Sequence, residues 1–147
     1  MNMDKLNHWL TLAANIGVIA GIVFLGIELQ QNTSMMRAQT RDSMTEKVTN
    51  WQMNVSSNPF TAITFTKGYY TEVLERETGE MAVWNMLALS NLRLWENEYY
   101  QYKAGLFNES EFTPRLDNMK NNMHSSIGMQ KVWSEQRAFF RQSFGIF

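Results

Sequence analysis

The chain has 147 residues, 13 Lys and Arg against 14 Asp and Glu, a formal net charge of -1 and a pI near 6.1. That balance withholds the clustered basic surface needed to neutralise phosphates, so no nucleic-acid partner is expected. The absence of cysteine excludes disulfides, thiolate zinc sites, iron-sulfur clusters and a cysteine nucleophile. His8 and His124 are the only imidazoles, and they lie far apart in sequence, so neither a metal site nor any other cofactor is expected. Two prolines and eight glycines favour helices over a turn-rich β architecture.

From Trp9 to Ile27 the sequence WLTLAANIGVIAGIVFLGI carries no charge. As a helix these roughly 19 residues span about 28 Å, against a hydrocarbon layer of about 30 Å. A buried core helix and a secretory signal are the rival readings; against the signal, MNMDKLNH offers one Lys5 offset by Asp4, and no A-x-A-like site follows the apolar run. The expectation is an uncleaved anchor over residues 1–31 in a lipid bilayer, followed by an α-helical soluble domain over 32–147. Lys5 precedes the segment, whereas Arg37, Arg41 and Lys47 follow it, a bias that places the carboxyl-terminal domain in the cytoplasm. Within the segment Ala13, Gly17 and Gly21 recur every four residues, the small-residue spacing that lets helix backbones approach in lipid. Asn15 is read as lying near this stripe and able to hydrogen-bond across helices.

Beyond the polar collar, Met36, Thr40, Met44, Val48, Trp51 and Val55 recur at helical steps, so the membrane helix is expected to run on. Asn32-Thr33-Ser34 could cap a fresh helix, but no Glu or Gln stands at capping-box spacing. Asn58-Pro59 is a clear break, with Asn58 as N-cap and Pro59 at the first helical position. A second helix carries Phe60, Ile63, Tyr70 and Leu74 and ends before the turn Glu75–Gly79. The strongest stripe follows, in Trp84, Ala88, Leu92, Trp95, Tyr99, Tyr102 and Leu106, with Gly105 as its stop. Phe112, Leu116, Met119 and Met123 mark a helix opening at Asn108 or at Thr113-Pro114, interrupted by Ser125–Gly128. Trp133, Phe140 and Phe144 supply a stripe on a terminal helix. The predicted class is all-α, a single amino-terminal transmembrane helix running into a compact bundle of about four or five helices.

Catalytic signatures are sparse. Arg93, Glu96 and Glu98 lie beside the aromatic stripe, where a carboxylate could act as general base and Arg93 as an anion clamp; the alternative is an i,i+3 ion pair that orients the helix. No Glu-x-x-His pair, Gly-x-Ser-x-Gly elbow, dinucleotide fingerprint or P-loop occurs. Met36, Met44, Met119 and Met123 are read as core filling rather than a docking groove, and Trp84, Trp95, Tyr99 and Tyr102 as core rather than a pigment, quinone or lipid site.

The apolar anchor ending in IELQQNT, followed by SNPF, RLWENEYYQYKAGL and VWSEQRAFFRQSF, resembles a widespread group of small uncharacterised bacterial proteins. The resemblance covers nearly the whole chain and implies a bacterial inner-membrane protein with one amino-terminal membrane helix and an α-helical domain; it carries over no catalytic residue. Pro114 departs from the uninterrupted helix start that it suggests. Together these features lead to the expectation of a non-catalytic accessory or scaffold subunit that associates with another membrane protein or with itself. Two alternatives stand beside it. One is a homo-oligomeric pore or sensor using Asn15 and Glu28. The other is a membrane-surface enzyme on a lipid or quinone using Arg93 with Glu96 or Glu98.

Overall fold

A computed structural model describes residues 3–71, 73–140 and 144–145. Among them there is no strand, and five α-helices follow one another: α1 (Met3–Ser56), α2 (Pro59–Tyr70), α3 (Glu80–Lys103), α4 (Glu109–Ser125) and α5 (Ile127–Gln136), then a 3-10 turn at Arg137–Phe139. The all-α class and the long apolar first helix are as the periodicity predicts. The chain divides into two compact units, Met1–Gln39 and Thr40–Phe147.

In the first unit, α1 passes Asn32-Thr33-Ser34 without a break. The Thr33 hydroxyl donates to the Leu29 carbonyl one turn back instead of capping a new helix, and with no carboxylate at capping-box spacing nothing there competes with helix propagation. Side chains from Asn7 to Gln39 are exposed. This is the one helix among the described residues long and apolar enough to cross a membrane, and none of its most apolar stretch is buried. Met36, assigned to the core by its spacing, is exposed as well, whereas Met44, Met119 and Met123 are buried.

The second unit packs the last turns of α1 with α2 to α5. Its core is built on the expected α3 stripe: Trp84, Ala88, Leu92 and Trp95 are buried, with Tyr99 and Tyr102 half-buried against them. Tyr102 stacks on Phe112 of α4 at 4.2 Å between centroids. The α3 carboxyl end closes as a Schellman motif, in which Gly105 at φ 76° donates to the Tyr102 carbonyl and the Leu106 amide donates to that of Gln101.

Helix α2 turns a different face inward from the one its apolar residues suggest. Phe60, Ile63 and Tyr70 are exposed, and Thr64 and Gly68 are buried instead. Small size is the reason. Gly68 lies so close to the Trp84 indole that an added Cβ would sit 2.6 Å from Trp84 Cγ, and one on Gly128 of α5 would sit 3.0 Å from the Gly68 carbonyl carbon. α2, α3 and α5 thus cross on two glycines, where bulk and not polarity decides which face is buried. The Thr64 hydroxyl is fully enclosed without a partner.

The helix starts are well specified. Asn58 accepts from the Phe60 amide ahead of Pro59, as expected. Of the two starts open for α4, the helix uses Asn108, in a capping box with Glu111. Pro114 therefore lies inside α4, and the neighbouring Thr113 hydroxyl donates to the Glu109 carbonyl at 2.8 Å. Ser126 separates α4 from α5; its hydroxyl accepts from the Met129 amide and donates to the Tyr69 carbonyl. The terminal α-helix ends at Gln136, short of Phe140 and Phe144, which lie outside it yet remain buried around Trp133 and Tyr99.

Candidate functional site

The two groups of residues singled out in the sequence lie in different units and are taken in turn. In the first unit, Ala13, Gly17 and Gly21 advance by only about 40° per step of four, so they form one slowly winding stripe. Nothing lies within 4 Å of the space a Cβ would take at Gly17 or Gly21. Asn15, however, is two residues from each of Ala13 and Gly17, about 200° around the helix, and occupies the opposite face. Its placement near the stripe is thereby corrected: closeness in sequence is not closeness on a helix of 3.6 residues per turn. Among the described residues the Asn15 carboxamide makes no hydrogen bond, whereas the Thr11 hydroxyl is satisfied by the Asn7 carbonyl.

In the second unit the polar trio of α3 separates into two ion pairs, because Glu96 and Glu98 point to different sides of the helix. Arg93 Nη1 donates to Glu96 at 2.7 Å, its Nη2 donates to the Phe139 carbonyl at 3.1 Å, and its guanidinium lies 4.1 Å from the Phe140 ring centroid. Arg93 thus fastens the carboxyl-terminal turn to α3. Glu98 instead faces α4, where Arg115 Nη1 donates to its Oε1 at 2.6 Å while the guanidinium packs over Phe107. Burial pushes the Glu98 carboxyl above its ordinary value, and Arg115 only partly opposes that shift.

Glu98 and Arg115 line a cleft of about 610 Å³ between α1, α2, α3 and α4. Trp51 of α1, Phe65 of α2 and Trp95 of α3 form aromatic wall, and Gln52, Asn91, Asn118 and Asn122 contribute carboxamides. The wall is held in place: Trp51 Nε1 donates to the Leu87 carbonyl, and its ring meets Phe65 edge-on at 5.6 Å. Asn122 is fixed by the Tyr69 hydroxyl and by Asn118. At the rim, Arg41 pairs with Glu111, whose carboxyl is held low first by the Asn108 amide.

A second buried carboxylate, Glu80, receives Lys67 Nζ at 2.5 Å and the Glu75 amide at 3.0 Å, joining α2 to the start of α3. The Lys67 bond and the Glu75 amide hold its carboxyl below the usual range. Among the described residues no three carboxylates or imidazoles gather as metal ligands.

Sequence reasoning found Glu98 but missed Arg115 and the cleft. Two polar stripes carry the signal: Asn91, Trp95 and Glu98 on α3, and Glu111, Arg115, Asn118 and Asn122 on α4, each at helical steps. No protein family, curated protein or solved structure matches the chain.

Proposed function

We propose that the chain is a membrane-anchored, non-catalytic accessory or scaffold subunit of the bacterial inner membrane, joined to another membrane protein through α1. The observation that carries the reading is the uncovered state of the apolar stretch of α1, in which no residue is buried. Water is a poor solvent for such a surface and lipid a good one. The Lys/Arg bias then sets the helical domain on the cytoplasmic side.

The opposite placement of the glycine stripe and Asn15 supports a multi-helix partner. One neighbouring helix packed on Gly17 and Gly21 leaves Asn15 turned away, within about 5 Å of the midpoint of the apolar stretch, where a carboxamide seeks a second partner. A position between two neighbouring helices satisfies both faces; a simple pair of α1 helices satisfies one.

The test is native mass determination after extraction from bacterial membranes in mild detergent, with identification of co-purifying chains. The expected result is stoichiometric foreign subunits, lost in Gly17→Ile and weakened in Asn15→Leu. A partnerless monomer refutes the proposal, and a symmetric ring of this chain alone transfers support to a pore or sensor.

A further inference from the structure

We infer that the cleft between α1, α2, α3 and α4 is a binding site for a small organic ammonium, an amine with an apolar body whose N–H groups reach Oε2 of Glu98. The inference stands apart from the anchored-scaffold proposal. It begins with an unfinished hydrogen-bond set on a buried charge. The Glu98 side chain is 7% exposed, and its Oε1 is taken by Arg115. No donor reaches Oε2 among the described residues. Among the described residues the one fully enclosed side-chain polar atom without a partner is the Thr64 hydroxyl, so Oε2 keeps an opening, and the cleft that Glu98 lines provides it. A carboxylate oxygen in a low-dielectric wall calls for a donor, best a charged one.

The surrounding chemistry selects among donors. Trp51 and Trp95 present aromatic surface in the same cleft, and aromatic faces attract cations while covering an apolar body. Asn91 makes no hydrogen bond within the described residues, so its carboxamide is available to a ligand as it stands. Anions are disfavoured, because the one lining guanidinium is already paired with Glu98 and the other lining acid, Glu111, has both oxygens committed to Arg41 and the Asn108 amide. The volume of about 610 Å³ lies within the usual range for small-molecule sites.

The probe is phenethylammonium chloride, titrated onto the full-length chain in nonionic micelles, with protein-free micelles as blank and tryptophan fluorescence as readout. 2-Phenylethanol and 3-phenylpropanoate serve as neutral and anionic counterparts. The ammonium is expected to bind saturably, at least about tenfold more tightly than the alcohol, the weight of one charge-assisted contact. Glu98→Gln should abolish that preference. Asn91→Lys, which breaks no hydrogen bond of the fold, should weaken the ammonium at least about tenfold through like-charge repulsion while leaving the melting temperature unchanged. Equal binding of ammonium and alcohol, tighter binding of the carboxylate, no saturable binding, or an unaltered ammonium affinity in Asn91→Lys would each overturn the inference.

Discussion

Gly128→Ala tests the glycine crossing directly. The new methyl carbon would stand 2.9 Å from Trp84 Cζ2 and 3.0 Å from the Gly68 carbonyl carbon, and nearer still to the Gly68 carbonyl oxygen. Ordinary carbon contacts begin at about 3.5 Å, so α5 must withdraw by at least about 0.5 Å. A backbone carbonyl cannot rotate aside as a side chain does. Overpacking of this kind costs about 1–3 kcal/mol. Withdrawal also stretches the Ser126 to Tyr69 hydrogen bond, now 2.9 Å, worth about 1 kcal/mol. Ala recovers somewhat less than 1 kcal/mol of helix propensity, since position 128 lies in the first turn of α5. The net loss is about 1–3 kcal/mol, a fall in melting temperature of about 5–15 °C for a unit of this size. Near-UV circular dichroism of the full chain in micelles reports it, because Trp84 sits in the crossing. Gly17→Ala, with open space around it, is the control and should leave the transition in place. A Gly128→Ala transition within about 2 °C of the parent would refute the close-packing argument.

Other consequences follow from the buried polar groups and the turn. Thr64→Val removes the enclosed hydroxyl without a partner and should stabilise the bundle by about 1 kcal/mol in urea titration; a loss instead would mean that the hydroxyl is bonded. Arg115→Met leaves Glu98 buried without its counter-charge and should cost about 3 kcal/mol at pH 7. Because the neutral acid needs no cation, that cost should shrink on acidification, and a pH-independent cost would contradict the assignment. Glu80 is held below its ordinary value of 4.5, so its stabilisation is present above that pH and is lost as pH falls through the lowered value. Glu80→Gln should therefore flatten the acid limb of the stability profile, and an unchanged slope would argue against the Lys67 pairing. Gly105→Ala places a side chain at φ 76° and should cost about 1 kcal/mol, measured against the neutral control Gly17→Ala.

What the sequence discloses depends on whether one physical property governs the position. α3 was legible because its buried stripe is apolar at every step from Trp84 to Trp95. In α2 the most deeply buried positions are set by the smallness of Thr64 and Gly68, beside half-buried Phe65 and Tyr69, whereas apolar Phe60, Ile63 and Tyr70 are exposed. Terminations set by a special backbone state, Asn58 before Pro59 and Gly105 after α3, were visible from residue type. Phe140 and Phe144 were drawn into the last helix because aromatic spacing alone does not reveal where hydrogen bonding stops. Arg93 and Glu96 could be paired from spacing on one helix. Arg115 could not be assigned to Glu98, since the two meet across 17 residues and a helix-to-helix turn. The cleft is hidden for the same reason: its walls come from four helices, and the polar stripes of α3 and α4 do not by themselves reveal that they face each other.

Ser126 binds parts of the chain that a linear description separates. Its one buried oxygen is the cap that starts α5 and also the donor that occupies a terminal carbonyl of α2, 57 residues earlier. Neither helix end is complete by itself: if α2 leaves, Tyr69 loses its donor, and if α5 frays, the hydroxyl loses the geometry that reaches Tyr69. Local loosening at one end is therefore thermodynamically coupled to the other through that one shared hydroxyl, without any domino of intervening side chains.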